Sequence, residues 1–159
     1  MKLSSQEEYG LRCLLQLARQ GEGASLTIAE LSRLEGISAP NVAKIMRLLR
    51  RGGFVRSTRG QAGGYTLARG PEAVSVGEVL AGLGGRFFDA AFCDRHSGAS
   101  ASCAHLPDCS IRPVLRTLQD VVDQVLGRLT LSQLLCDEQE VLVRSVPRAT
   151  PLAAVAKPA

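Results

Sequence analysis

Ser38-Ala39-Pro40-Asn41-Val42-Ala43-Lys44-Ile45-Met46-Arg47-Leu48-Leu49-Arg50-Arg51-Gly52-Gly53 is the stretch on which the fold turns. Val42, Ile45, Met46 and Leu49 stand at i, i+3, i+4 and i+7, so on a helix they share one face and point to a core. The opposite face carries Asn41, Lys44, Arg47 and Arg51. Ser38 reads as the helix cap, Pro40 is tolerated in a first turn, and the paired glycines end the run. Such a helix docks on its own domain with one side and offers the other to a polyanion.

Upstream, Ser5 reads as the cap of a first helix running to about Gln20, with Leu11, Leu14, Leu15 and Ala18 on one face. Thr27 caps a second helix with Glu30 at the capping-box position, and Ile28, Leu31 and Leu34 are expected to point inward. Gly36-Ile37-Ser38 is then the turn into the basic helix. Downstream, Phe54–Thr58 and Tyr65–Ala68 read as two short strands joined by Arg59-Gly60-Gln61-Ala62-Gly63-Gly64. Two short helices, a turn, a basic third helix and a glycine-rich hairpin make a winged helix-turn-helix. The basic helix would enter a major groove, Ser38 opening it, Asn41 reading a base, and Lys44, Arg47 and Arg51 meeting phosphates or guanine edges. In the wing, Arg59 is placed for a phosphate or a minor groove, and Gly60, Gly63 and Gly64 allow close approach to a backbone.

Charge follows the same division. Residues 1–70 carry eleven Lys/Arg against five Asp/Glu, whereas residues 71–136 carry five against seven, within a chain of net charge +4. A basic front half suits a module that binds nucleic acid. Aromatics are 4% and Trp is absent, so the core is aliphatic. The opening residues lack a signal peptide's apolar core and no run approaches the ~18–20 residues of a membrane span, which predicts a cytoplasmic protein with no membrane partner. Five cysteines, three of them in one loop, fit metal ligands or redox thiols better than disulfides.

Those three, Cys93, Cys103 and Cys109, lie in a Gly/Ser/Ala/His-rich segment. Thiolates are soft donors that suit an iron–sulfur cluster or zinc. Cys93 and His96, with Cys103, His105 and Cys109 nearby, are a possible zinc set, and metal-free redox thiols are a third reading. Cys13 and Cys136 read as packing residues. Before this segment, Ser75 caps a short helix over Val76–Leu83 closed by Gly84-Gly85. After it, Ser110 starts a long helix whose Ile111, Leu115, Leu118, Val122, Val125 and Leu129 recur at 4-3-4-3-4 spacing, the pattern of a coiled-coil seam; pairing with a second copy is preferred over docking on its own domain.

The expected organisation is therefore a mainly α chain: a winged helix-turn-helix DNA-binding domain with a short β wing at 1–70, a connecting helix and linker at 71–92, a cysteine-rich cluster-binding loop at 93–109, a dimerisation helix at 110–136, and a disordered tail at 137–159. No Ser/His/Asp or paired-carboxylate constellation stands at a catalytic spacing, so an enzyme is not expected.

The run from Ile37-Ser38 to Gly53-Phe54-Val55, followed by Arg59-Gly60-Gln61-Ala62-Gly63-Gly64-Tyr65-Thr66-Leu67, resembles the Rrf-two family of winged-helix iron–sulfur regulators, the IscR, NsrR and RirA type. The resemblance covers about residues 1–135. It implies a homodimeric transcriptional regulator, usually a repressor, on a near-palindromic double-stranded operator, with a 2Fe-2S or 4Fe-4S cluster tuning DNA affinity. It carries Cys93, Cys103 and Cys109 over as ligands, although the gap between the first two is longer than the family's usual one. Some relatives have a His three residues beyond the last cysteine, where this chain has Arg112. Others use an acidic residue in the partner's first helix, which points to Glu8, with His105 and His96 as alternatives. Where some relatives carry a Glu that sorts operators, this chain has Ala43. A cluster-free regulator sensing through zinc or redox thiols is the alternative, and an iron–sulfur carrier or electron-transfer protein ranks lower because it leaves the basic helix unused.

Overall fold

Capping and burial set the helices of the head. In the computed structural model, which describes residues 4–58, 60, 63–99, 102–106 and 108–145, helix α1 spans Ser5–Arg19. Its cap is Ser4 rather than Ser5, because the Glu7 carboxylate accepts the Ser4 backbone N–H at 2.7 Å and so closes the first turn one residue earlier. Helix α2 spans Ile28–Glu35; the Thr27 hydroxyl accepts the Glu30 N–H at 3.2 Å while Glu30 accepts the Thr27 N–H at 2.7 Å, the capping box that the sequence predicts. The Thr27 N–H and the Thr27 hydroxyl, which also donates to the Glu30 carboxylate at 2.8 Å, hold that carboxyl below its ordinary range. Gly36, at φ +66°, turns the chain into helix α3, Ala39–Arg51. Strands β1 (Val55–Thr58) and β2 (Gly64–Leu67) pair antiparallel, with Val55 opposite Leu67 and Thr58 opposite Gly64. Leu26 adds an isolated bridge to Tyr65 that ties the wing's root to the chain before α2.

The core is built from Cys13, Leu14 and Leu17 of α1, Leu31 of α2, Val42, Ile45, Met46 and Leu49 of α3, and Phe54 and Val55 at the wing. Leu11, Leu15 and Ala18 only pack against its edge. Leu34 departs from its inward expectation and is 41% exposed, since the short α2 has one buried position, Leu31. Helix α4 (Val76–Gly84) closes the core from the other side with Val79 and Leu83 and crosses α1 at Gly10. A Cβ on Gly10 would meet Leu83 Cδ1 at 2.2 Å, so any side chain at the crossing would have to displace the Leu83 side chain.

Beyond it come a single-turn helix, α5 (Phe92–Arg95), and the long helix α6 (Ile111–Arg128), which packs on α4. The helix expected to continue to 136 stops at Arg128. The chain then bridges to the residues before α4: Leu129 C=O accepts the Val76 N–H and Leu131 N–H donates to Val74 C=O, both at 2.9 Å. Burial of Leu129 and Leu131 in the head outweighs continuing the helix. The tail also departs from expectation. Glu138–Ser145 forms helix α7, started by Asp137, whose carboxylate accepts the Glu140 N–H at 2.9 Å. The rest of the expected disordered tail, 146–159, lies outside the described residues.

Candidate nucleic-acid interface and cysteine segment

The setting of α3 is fixed by bonds to its predecessors. Arg12 of α1 donates through Nε to the Glu35 carboxylate and through Nη2 to the Glu35 carbonyl, both at 2.6 Å, while the Ser32 hydroxyl donates to Ile37 C=O at 2.6 Å. The turn between α2 and α3 is thereby pinned to α1. Val42, Ile45, Met46 and Leu49 are all buried, and Ser38, Asn41, Lys44, Arg47 and Arg51 are all exposed, as the periodicity requires. Among the described residues Lys44, Arg47 and Arg51 have no acidic partner within salt-bridge distance, so the face presents bare positive charge.

Two further cations join that surface. Arg50 reaches the wing, donating through Nη1 to the Ser57 hydroxyl at 3.3 Å, and Arg56 stands exposed on β1. Sequence reasoning passed over both, although Arg50 stands three residues after Arg47, one helical neighbour away. In the wing, Gly60 lies at φ +110° and its carbonyl accepts the Gly63 N–H at 2.8 Å, which makes the tight reversal. Gly64 serves the fold itself: a Cβ there would stand 2.9 Å from the Leu26 carbonyl oxygen. Arg59, Gln61 and Ala62 lie outside the described residues.

The cysteines divide into two kinds. Cys13 is wholly buried in the head, and burial pushes its thiol up to about 11. Cys93, Cys103 and Cys109 are free and half-buried, the first in α5, the last just ahead of α6. Cys93 lines a cleft of about 520 Å³ against α6, together with Leu106, Arg112 and Arg116. Cys136, also half-buried, donates its S–H to Gln133 C=O at 2.9 Å. As a donor set, three unpaired thiols in one segment fit a soft-metal group such as an iron–sulfur cluster. Among the described residues, however, no three Cys, His, Asp or Glu side chains are gathered around a single point.

The possible fourth ligands are also placed. Glu8 is exposed on α1 and accepts from Arg12 at 3.4 Å. His105 is exposed. His96 is exposed too, but its ring stacks on Phe92 at 4.2 Å between centroids and its Nδ1 lies 2.8 Å from Phe92 C=O, so one ring nitrogen is engaged.

The seam of α6 differs from the expected one. The exposed apolar row is Ile111, Val114, Leu118 and Val121, spaced 3-4-3. Leu115, Val122 and Val125 are half-buried and Leu129 is buried in the head. Leu115, Val122, Val125 and Leu129 were expected at the seam because a lone heptad pattern does not show that part of the stripe is already covered by α4 and the head.

A family model of iron-dependent transcriptional regulators, Rrf2, matches residues 3–137. The chain belongs to the Rrf2 family. The HTH-type transcriptional regulator IscR of Escherichia coli (strain K12 / DH10B) is 31% identical over 142 residues, covering 89% of this chain and 84% of the relative. Among solved structures, T. potens IscR has a TM-score of 0.65 at 26% identity, covering 85% of this chain and 86% of that one. CymR, the global cysteine regulator of B. subtilis, has a TM-score of 0.67 at 23% identity over 85% and 96%, and shows the shared fold. As an Rrf2 protein this chain is a DNA-binding transcriptional regulator and not an enzyme. Among the described residues no helix is long and apolar enough to cross a membrane.

Proposed function

We propose that this Rrf2 regulator works in the cytoplasm as a homodimeric repressor whose grip on a near-palindromic operator is set by an iron–sulfur cluster. The α3 helix lies in the major groove, with Ser38, Asn41, Lys44, Arg47 and Arg51 on DNA and the wing, through Arg59, Gly60, Gly63 and Gly64, on the flanking backbone. Ile111, Val114, Leu118 and Val121 form the contact between copies, an apolar row that water leaves unsatisfied in one chain. Cys93, Cys103 and Cys109 would hold the cluster, with Glu8 of the partner subunit as fourth ligand and His105 or His96 as substitutes. A cluster supplies a centre that changes with redox state, nitric oxide or iron supply; the chain supplies thiols at the foot of the helix that carries the dimer contact.

The observation that carries the sensing half is the contrast among thiols: Cys13 is sealed and hard to ionise, while the three in the 93–109 segment are unpaired and partly open. The test is iron and sulfide analysis of anaerobically purified protein, with operator binding compared before and after cluster removal. Iron and sulfide near the cysteine stoichiometry, lost in the three Cys→Ser variants, are expected. Glu8→Ala should leave the cluster bound but shorten its lifetime in air.

A second reading, a regulator without a cluster that senses through its thiols or zinc, is supported by one observation: Cys93, Cys103 and Cys109 are free and half-buried, open to oxidants. Colourless protein lacking iron and sulfide, whose operator binding still responds to thiol oxidants or zinc chelators, would decide for it.

A further inference from the structure

Gln119 is the buried side chain of α6, 6% exposed on a helix whose apolar residues are half-buried or exposed. Its Oε1 accepts the Phe88 N–H at 3.2 Å and its Nε2 donates to Asp123 Oδ1 at 2.8 Å. The orientation of the amide is forced, since a backbone N–H only donates and a carboxylate only accepts. The other oxygen of Asp123 takes Arg86 Nη2 at 2.9 Å. Positions 119 and 123 are one helical turn apart, so two residues of the segment leading to α5 are tied to one face of α6.

That segment continues as a ladder of rings. Phe88 is buried, its ring lies 5.1 Å from that of Phe92, and Phe92 stacks on His96. Cys93 follows Phe92 directly. Arg86, Gln119 and Asp123 also stand in the wall shared by two cavities, the cleft that holds Cys93 and an apolar groove between α4 and α6. A leucine at 119 would fill the same space without direction and would leave the buried Phe88 N–H unpaired.

We infer that Gln119 is a positioning residue, which through Asp123 and Arg86 latches the Cys93 segment to the long helix and so couples the setting of that thiol to the setting of α6. The latch is separate from the question of a cluster, and its test uses the full chain, reduced and freed of metal. In that protein Gln119→Leu should raise the rate of Cys93 alkylation by iodoacetamide, read by mass spectrometry, about tenfold, the size expected when one buried hydrogen bond no longer holds a segment closed. Cys13 and Cys136 serve as internal references and should keep their rates. Gln119→Glu alone should also loosen the segment, because two carboxylates then face each other. Adding Asp123→Asn reverses donor and acceptor across the pair. The new amide donates to the new carboxylate, which still accepts the Phe88 N–H, and Arg86 keeps an oxygen. This double variant should return Cys93 to within about twofold of the native rate.

A residue that only fills space gives no such rescue. Equal Cys93 rates in the native chain and all three variants would overturn the latch, as would identical behaviour of Gln119→Glu with and without Asp123→Asn. A second measurement needs no variant: in the native protein the amide of Phe88 should exchange with deuterium at least about tenfold more slowly than those of Phe87 and Asp89. Matching exchange at the three positions would also overturn it.

Discussion

The reading head and the long helix solve the same problem, burying an apolar stripe, with opposite outcomes. In the head, Val42, Ile45, Met46 and Leu49 of α3 are sealed by α1, α2 and the wing, and the face left in water is cationic. In α6 the face left in water is apolar, Ile111, Val114, Leu118 and Val121, while the buried position is the polar Gln119. One region is finished within a single chain. The other is half covered by α4, has its buried amide fixed by directional hydrogen bonds, and leaves one apolar row without a cover among the described residues. Under the proposed function, the finished face is the one that meets DNA and the unfinished one the surface that meets a second copy.

The largest expected effect tests the sealing of the head. Leu49→Ala should lower the unfolding free energy by about 2–5 kcal/mol, measured by urea titration, because the surrounding helices leave little room for collapse. A loss under about 1 kcal/mol would break the contrast at its root.

Next comes an alkaline effect carried by the buried thiol. Cys13 stays protonated in the folded chain up to about 11, against 9.0 for the ordinary thiol. Its contribution is therefore complete below pH 9 and fades as pH rises towards and through 11, by roughly 2–3 kcal/mol in all. Cys13→Ala should flatten that part of the decline in urea midpoints between pH 8 and 10.5. An unchanged slope would show that the thiol does not ionise on unfolding there. In the same native protein, alkylation should be slow at Cys13 and fast at Cys103 and Cys109.

A smaller effect probes the cationic face. Arg47→Ala should weaken operator binding by about 1–3 kcal/mol if the guanidinium reads a base, and lower the salt slope by about one if it meets a phosphate. A mobility-shift titration over several salt concentrations separates the two, and no change in either would remove Arg47 from the interface. Smallest of all, Leu118→Ala should cost the isolated chain under about 1 kcal/mol, since half its surface is already in water. Yet it should weaken self-association measured by sedimentation. An effect on stability as large as that of Leu49→Ala would show that α6 is completed internally.

Legibility in the sequence follows the same divide. The faces of α3 were readable because they depend on residues within three or four positions of one another, and Pro40, Gly52 and Gly53 mark the ends locally. The Thr27–Glu30 box was readable for the same reason. Leu34 was misplaced because a helix of eight residues leaves its last turn outside the core. The return of Leu129 and Leu131 to the residues before α4, some 55 positions earlier, left no local mark. Neither did the latch, since Gln119 on a helix face reads like any solvated amide. The three cysteines were legible by type and spacing, but their arrangement in space was not.

By itself, then, the order of residues determined a winged head with one cationic helix face, a clustered set of soft donors and a long amphipathic helix, because each is written in short-range periodicity or residue chemistry. Only the tertiary structure decided which part of that long stripe is covered, where the helix stops and what holds Cys93 to it. Those outcomes depend on surfaces brought together from far apart in the chain, where burial of Leu129, Leu131 and Gln119 outweighs the local preferences that a sequence displays.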